Sequence, residues 1–196
     1  MKIIISCIAI CCIAATVSFA KSKAKNPAKT KNPVAVIKTS MGTFECELYK
    51  DDAPKTVANF VGLSKKGFYN GILFHRVIKG FVIQAGDPLT KDKSQMARWG
   101  TGGESIYGKE FEDELNPNTP SYKAGYVKGV LAMANRGPNT NTSQFFVMCG
   151  QTLPHQYTIF GKVIKGIDVV DKIDNVPTVP GDRPKVDVVI EKITIE

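Results

Sequence analysis

The sequences FHRVIKGFVIQAGD, at Phe74–Asp87, and MANRGPNTNTSQFF, at Met133–Phe146, decide the fold of this chain. Each combines a short apolar run with glycine, proline or asparagine, a composition typical of a strand next to a turn. Neighbouring residues of a strand point to opposite faces. We therefore expect Phe145 and Phe146 to lie on opposite faces of their strand.

Short apolar runs recur along the rest of the chain. Together with the two stretches above, they lie at residues 34–40, 41–49, 72–78, 81–86, 129–135, 143–148, 157–164 and 186–195. Many short strands with few helices predict an antiparallel barrel or sandwich. The first two runs predict a hairpin that turns at Ser40–Gly42. In the second run Cys46 alternates with Glu45 and Glu47, so we expect it on the buried face, as a core residue rather than a nucleophile.

Two segments predict helices. Asp51–Pro54 supplies acidic residues and a proline at a helix start, Val57 and Phe60 follow at helical spacing, and Lys65–Gly67 supplies the cations and glycine of a helix end. A second, shorter helix is expected at residues 166–173. The fold class is therefore mainly β.

The positive charge of the chain is concentrated near its N-terminus. The formal net charge is +8, but six of the 26 lysine and arginine residues lie in residues 1–33, which contain no acidic residue. Residues 34–196 thus hold 20 basic and 18 acidic residues, a balance that gives no reason to expect nucleic-acid binding. With only His75 and His155 present, a histidine-rich metal centre is excluded and no metal or cofactor is expected.

Residues 1–20 predict a secretory signal peptide. A basic start at Lys2 is followed by the apolar run IIISCIAICCIAATV and by the small-residue cleavage signature Ser18–Ala20. The uncharged run only reaches the lower edge of membrane-spanning length, which disfavours an anchor. We expect cleavage after Ala20, a periplasmic or secreted protein, and no stable membrane insertion after cleavage.

Residues 21–33, KSKAKNPAKTKNP, predict a flexible lysine-rich linker, because they offer no apolar surface to bury. The folded domain is then expected at 34–196. Of the five cysteines, only Cys46 and Cys149 lie outside the signal peptide. They are too few for a disulfide framework, and we expect two separate buried thiols.

The two quoted stretches, together with GTGGESIYG at Gly100–Gly108, closely resemble the cyclophilins. The likeness extends from about Val34 to the C-terminus. It implies a closed eight-stranded antiparallel barrel capped by two α-helices, and peptidyl-prolyl cis–trans isomerase activity. The expected partners are proline-containing polypeptides, and we expect a monomer.

The chemistry of this reaction explains why an arginine would be needed. Rotation of an X–Pro bond breaks only the amide conjugation, so no covalent intermediate is required. As the bond twists, the prolyl nitrogen becomes pyramidal and gains a lone pair, so a fixed donor binds the twisted state better than the planar one. Arginine stays protonated and presents a rigid fork of donors that can touch the nitrogen and a carbonyl oxygen together.

The resemblance implies a site by motif. Its catalytic residues would be Arg76, Phe81, Gln84 and Phe146, with Arg76 as the donor and the two phenylalanines as walls of the proline pocket. Its substrate-binding residues would be Val82, Thr101, Gly102, Ala134, Asn135, Arg136, Gln144, Leu153 and Tyr157. Within this set Gln84 and Asn135 would hold the substrate backbone, and Thr101 and Gly102 would accept residues before the proline.

His75, next to Arg76, transfers no proton in such a reaction. We interpret it as a hydrogen-bonded structural histidine.

The sequence departs from the family at residues 151–157, QTLPHQY, which are fewer than usual and lack a tryptophan. One alignment makes Leu153 the pocket leucine and Tyr157 the replacement for a histidine. The other puts His155 at the tryptophan position; we favour the first. Because the missing indole resembles the family's anchor for cyclosporin, weak cyclosporin binding is expected.

Two smaller departures lie near the first motif. Val82 stands where well-studied members have methionine, which leaves a smaller apolar wall. Residues 88–99, PLTKDKSQMARW, form an insertion that contains the single tryptophan of the chain, Trp99. Trp99 either packs beneath this loop or contacts substrate, and we favour packing.

The leading hypothesis is a prolyl isomerase that assists the folding of exported proteins. The alternative is a non-catalytic module that binds proline peptides as a chaperone or adhesin, for which the shortened 151–157 segment leaves room. A basic protein that binds nucleic acid or an anionic envelope polymer would rest on residues 21–31 alone, where no aromatic residues are available for stacking.

Overall fold

The computed structural model describes residues Lys31–Glu196. The strands there are β1 Val34–Thr39, β2 Gly42–Leu48, β3 Arg76–Ile78, β4 Val82–Ala85, β5 Val130–Met133, β6 Phe145–Met148, β7 Ile159–Lys165, β8 Thr178–Val179, β9 Arg183–Pro184 and β10 Ile190–Ile195. The α-helices are α1 Pro54–Lys65, α2 Pro120–Ala124 and α3 Ile167–Asp174, and two 3₁₀ helices span Pro88–Lys91 and Lys93–Arg98. The predicted signal peptide and residues 21–30 of the predicted linker lie outside the described residues.

Eight strands form one antiparallel sheet in the order β10-β1-β2-β7-β5-β6-β4-β3. The sheet curls, and its two end strands are linked just before each begins. Leu73 and Val189 form an isolated antiparallel bridge, and the Phe74 N–H donates to the Val188 carbonyl at 2.9 Å. The mainly β, eight-stranded antiparallel fold is confirmed. The barrel closes through this short bridge rather than through a regular ladder, while β8 and β9 pair separately.

The core fills the inside of the curled sheet, and α1 packs against it. The Phe60 ring of α1 lies 5.2 Å from that of Tyr69, 5.4 Å from that of Phe145 and 5.3 Å from that of Phe160, centroid to centroid. Cys46 is buried in the same cluster. Cys46 and Cys149 are both free and buried, which confirms the prediction of two separate thiols.

The N-terminus of α1 is held by a residue far away in the sequence. Ala53 precedes the helix and has no side chain that could cap it. The Glu114 carboxylate instead accepts hydrogen bonds from the backbone N–H groups of Lys55 and Thr56, at 3.0 and 2.8 Å. An anionic acceptor suits the exposed N–H groups of a helix start.

A second, smaller apolar cluster lies on the other face of β4, β5 and β6. Its buried members are Val82, Tyr126, Val130, Ala132, Phe146, Met148 and Ile159, and Phe81, Leu153 and Tyr157 pack against it. Phe145 belongs to the first cluster and Phe146 to the second. The alternation read from the sequence is therefore confirmed.

Some elements were not expected from the sequence. The helix α2 has only five residues, too few for a periodic pattern to be recognised, although Thr119 accepts a hydrogen bond from the Tyr122 N–H at 3.4 Å in the manner of an N-cap. At the other end of the domain, two residues assigned to the linker contact β2: Asn32 Nδ2 donates to Glu47 Oε1 at 3.1 Å, and the Pro33 carbonyl accepts from the Leu48 N–H. From Lys31 onward, no helix has the length and apolar character needed to cross a bilayer.

Candidate active site

The second apolar cluster borders a cavity of about 410 Å³. Its apolar wall consists of Phe81, Val82, Phe146, Leu153 and Tyr157, and its polar side contains His75, Arg76, Gln84 and Asn135. A concave site in which a few polar groups face an apolar wall is a common form of a small-ligand site. The cavity offers an apolar surface for the ring of a ligand and hydrogen-bond donors for the backbone of a bound peptide.

Arg76 lies at this cavity because β3 and β4 pair in a register that sets it opposite Gln84. Its Nη1 donates to Gln84 Oε1 at 3.3 Å, and its Nε lies 3.7 Å from a carboxylate oxygen of Asp182. The Arg76 side chain is 42% exposed. The guanidinium is thus oriented from two sides, and in the described residues its other donors have no hydrogen-bond partner.

Gln84 also connects Arg76 to the glycine-rich loop at Gly100–Gly102. Its Nε2 donates to Gln144 Oε1 at 2.9 Å. Gln144 in turn donates to the carbonyls of Gly100 and Gly102, at 2.9 and 2.6 Å. A chain of amide side chains therefore connects Arg76 to the glycine-rich loop.

The loop borders a second, smaller cavity of about 90 Å³, which shares Gln84, Gly100, Ala134 and Asn135 with the first. Thr101, Gly102, Arg136 and Gln144 also line it. Gly102 has to be a glycine, because a Cβ there would lie 2.3 Å from Asp87 Oδ1. The buried Asp87 carboxylate accepts from the N–H groups of Gly100 and Gly102, at 2.5 and 3.2 Å, and so holds the loop in place.

Asn135 presents its backbone, not its side chain. The side-chain Nδ2 donates to the Gln156 carbonyl at 3.2 Å and to Asp113 at 3.4 Å. Among the described residues its backbone N–H and C=O make no hydrogen bond. A peptide lying along the cavity could therefore pair with both. The adjacent Arg136 forms an ion pair with Glu110 at the exposed edge.

Leu153 and Tyr157, not His155, stand on the wall of the larger cavity. The Tyr157 ring meets that of Phe146 edge-on, with centroids 5.5 Å apart, whereas His155 stacks on Tyr122 at 3.8 Å. This placement agrees with the first of the two alignments of residues 151–157.

The Tyr126 hydroxyl donates to the Tyr157 carbonyl at 2.5 Å and accepts from the Tyr157 N–H at 2.9 Å. This pair of bonds fixes the position of the Tyr157 backbone.

His75 does not fit its expected role. It is only 7% exposed, and neither of its ring nitrogens makes a hydrogen bond. The prediction of a hydrogen-bonded histidine was wrong: the ring is packed at the cavity edge, and a Cβ on Gly100 would come within 3.6 Å of its Nε2. Burial lowers the pKa of His75, although the Asp87 carboxylate and the nearby Leu73 backbone oppose this effect.

Two residues at the site were not predicted as functional. Gly181 lines the larger cavity, and Asp182 contacts Arg76. Trp99, for which both packing and substrate contact were considered, lines that cavity and is also bonded within its own loop, where its indole Nε1 donates to the Asp92 carbonyl at 3.2 Å. The turn that holds Gly181 and Asp182 lies about a hundred residues from Arg76 in sequence, and no local motif marks it.

Known proteins resemble this chain over most of its length. Residues 34–195 match the family model described as "Cyclophilin type peptidyl-prolyl cis-trans isomerase/CLD". Peptidyl-prolyl cis-trans isomerase-like 1 of Homo sapiens is 48% identical over 168 residues, which cover 85% of this chain and 94% of that protein. Its counterpart from Neurospora crassa is 47% identical over 161 residues, with 81% and 91% covered.

Among solved structures, a cyclophilin type peptidyl-prolyl cis-trans isomerase of Cryptosporidium parvum has a TM-score of 0.74 and 38% sequence identity, and the match covers 84% of this chain and 98% of that one. A second structure of the Cryptosporidium protein was determined in the presence of the dipeptide Ala-Pro; its TM-score is 0.73.

Proposed function

Since this chain belongs to the cyclophilin-type peptidyl-prolyl cis–trans isomerase family and is an enzyme of that type, we propose that Arg76 is the donor that drives the rotation of the X–Pro bond. The observation that carries this proposal is the position of its guanidinium. It stands at the same cavity as the apolar wall of Phe81 and Phe146, and Gln84 orients it. A proline ring against that wall brings its nitrogen to the arginine.

In this mechanism the proline ring is the fixed part of the substrate and the preceding acyl group is the moving part. The apolar wall holds the ring, and the free N–H and C=O of Asn135 pair with the substrate backbone. As the bond twists, Arg76 donates to the prolyl nitrogen, whose lone pair is available only in the twisted state. Phe81, Val82, Phe146, Leu153 and Tyr157 shape the ring pocket, and Thr101, Gly102, Ala134, Arg136 and Gln144 line the adjoining groove.

The energy required is within reach of such a site. Shortening isomerisation from roughly 100 s to about 10 ms takes about four decades in rate, or ~5.5 kcal/mol of transition-state stabilisation. A charged donor held in place before the reaction contributes several kcal/mol of this, because no reorganisation is needed when the charge develops. The remainder comes from the pocket, which favours the twisted shape.

The experiment that tests this role is exchange NMR on a short Ala-Pro peptide with the full chain and with Arg76→Ala. We expect Arg76→Ala to lose most of the rate. Arg98→Ala, which removes an exposed arginine outside the cavity, is the matched control and should retain it. If Arg76→Ala kept the wild-type rate, the donor would have to be another group; if neither protein turned the peptide over while both bound it, the chain would be a binding module.

The site of action is a further part of the proposal. The basic, apolar and small-residue succession in residues 1–20 supports export, and proline-containing segments of exported proteins would be the substrates of a periplasmic or secreted monomer. Cell fractionation followed by N-terminal sequencing tests this: a mature N-terminus at Lys21 outside the cytoplasm is expected, and a protein that stays in the cytoplasm with residues 1–20 attached would refute it.

A further inference from the structure

Two aspartate side chains organise the insertion at residues 88–99. Asp87, directly before it, is buried, and Asp92, within it, is exposed. Asp87 accepts from the Leu89 N–H, and Asp92 accepts from the Ser94 N–H, each at 2.8 Å. These bonds start the two 3₁₀ helices, and the second ends directly before Trp99. The backbone of the insertion is therefore ordered, and it places Trp99 on the wall of the 410 Å³ cavity.

Trp99 is held on that wall from two sides. Its indole Nε1 donates to the Asp92 carbonyl at 3.2 Å, and the Arg183 guanidinium lies over the ring, 6.0 Å from its centroid. The side chain is only half-buried. A large aromatic surface thus borders the cavity in a fixed orientation, which lowers the entropy cost of binding against it.

The space beside Trp99 is open. Gly181 lines the same cavity, and a Cβ at Gly181 would meet no atom within 4 Å. The neighbouring cations are Arg76 and Arg183. A side chain that entered here would meet an aromatic surface with two guanidinium groups beside it.

The mechanism determines which substrate residue reaches this space. The bond that rotates precedes the proline, so the preceding carbonyl sweeps through a half-turn while the ring stays fixed. The carbonyl that Arg76 can hold throughout is therefore the proline's own. The residue bonded to that carbonyl is the one that follows the proline, so it lies on the Arg76 side of the cavity, where Trp99 stands.

We propose that Trp99 and Arg183 form a specificity subsite for the residue that follows the proline, and that this subsite favours an aromatic or large apolar side chain. Glycine gains nothing there, and the charge of a lysine would meet two guanidinium groups as well as the Asp182 carboxylate that contacts Arg76, so lysine gains less than an aromatic side chain. The inference rests on the proposed role of Arg76, which fixes the direction of the substrate.

The test compares kcat/KM of the full chain for the peptides Ala-Pro-Phe-Ala, Ala-Pro-Gly-Ala and Ala-Pro-Lys-Ala. We expect the phenylalanine peptide to exceed the glycine peptide by about threefold to tenfold, the range that one aromatic contact supplies, and the lysine peptide to fall below the phenylalanine peptide. Trp99→Ala should bring the ratio of phenylalanine to glycine close to one. Trp99→Phe, which keeps an aromatic ring, should retain most of it.

Met96→Ala is the matched control, because Met96 lies on the same insertion with its side chain exposed and does not line the cavity. It should leave the ratio unchanged. A wild-type protein that turns over all three peptides equally would overturn the subsite and leave the proposed role of Arg76 intact. A protein for which Arg76→Ala is as active as wild type would overturn that role instead.

A binding measurement keeps the proposal testable even if Trp99→Ala fails to fold. Trp99 is the only tryptophan of the chain, so its fluorescence reports on this one position. Saturation of the wild-type protein with Ala-Pro-Phe-Ala should shift or quench the emission more than saturation with Ala-Pro-Gly-Ala. Identical emission in the two saturated complexes would refute contact between Trp99 and the residue after proline.

Discussion

Arg76 and Gln84 face each other across β3 and β4, and the guanidinium donates from Nη1 to the Gln84 amide oxygen over 3.3 Å. Gln84 also donates to Gln144, which is bonded to the glycine-rich loop. The orientation of the proposed catalytic donor is therefore coupled to the wall of the adjoining groove. Removing any one amide leaves its partners with unpaired polar groups.

Gln84→Ala should lower kcat/KM about tenfold or more, because Arg76 then loses the contact that orients it while its charge remains. The global stability should change much less than in a core variant, since Gln84 lies at a cavity. Exchange NMR on an Ala-Pro peptide measures the first effect and urea unfolding the second. Gln95→Ala, whose side chain meets only the exposed Arg98, is the control and should behave as wild type; a fully active Gln84→Ala would contradict the coupling.

Phe145 and Phe146 should respond differently to truncation. Phe145 is fully buried between Phe60 and Tyr69, so Phe145→Ala should reduce the free energy of unfolding by about 3–5 kcal/mol. Phe146→Ala should cost less stability, because that ring already borders a cavity, but it should weaken peptide binding and raise KM. Urea unfolding and peptide titration of both variants decide this, and the reverse ranking would be incompatible with the two clusters.

The pH dependence of stability should contain a contribution from His75. Burial lowers the pKa of His75 in the folded protein, whereas an unfolded histidine titrates near 6.5. As the pH falls below about 6.5, the unfolded state therefore binds more protons than the folded state, and the free energy of unfolding decreases. This contribution is complete above that pH and is lost progressively toward the lower pKa of the folded protein.

Denaturant unfolding at pH 7.5 and pH 5.5 measures this effect. His75→Phe should lose less stability between the two pH values than wild type, and it should not be strongly destabilised at pH 7.5, because the imidazole nitrogens have no hydrogen bonds to lose. An unchanged difference in His75→Phe would rule out the contribution.

The sequence predicted those features that local rules control. Strand alternation separated Phe145 from Phe146 correctly, and the proline and glycine signals placed α1 and the first hairpin. Features made by distant residues could not be predicted in this way. The cap of α1 by Glu114 and the contact of Asp182 with Arg76 join segments that only the closed sheet brings together.

His75 shows a different limit of sequence reasoning. A buried polar side chain is normally hydrogen-bonded, and this general rule led to the wrong expectation. Whether a partner is present depends on packing at the cavity edge, which strand alternation does not specify. For Trp99 the sequence located an insertion but not its course, because 3₁₀ helices of four and six residues leave no periodic pattern.

Cyclosporin should bind this protein weakly, and a single substitution should strengthen its binding. Thr152 is exposed and directly precedes Leu153, which lines the cavity. Thr152→Trp adds a large apolar surface and an indole N–H donor beside the cavity, so the Kd for cyclosporin should fall at least tenfold, while Thr152→Ala should bind as wild type does. Calorimetric titration of the three proteins measures this. Tight binding by the wild-type protein would show that the ligand needs no indole here, and equally weak binding by Thr152→Trp would mean that the path of residues 151–157 keeps this side chain away from the cavity.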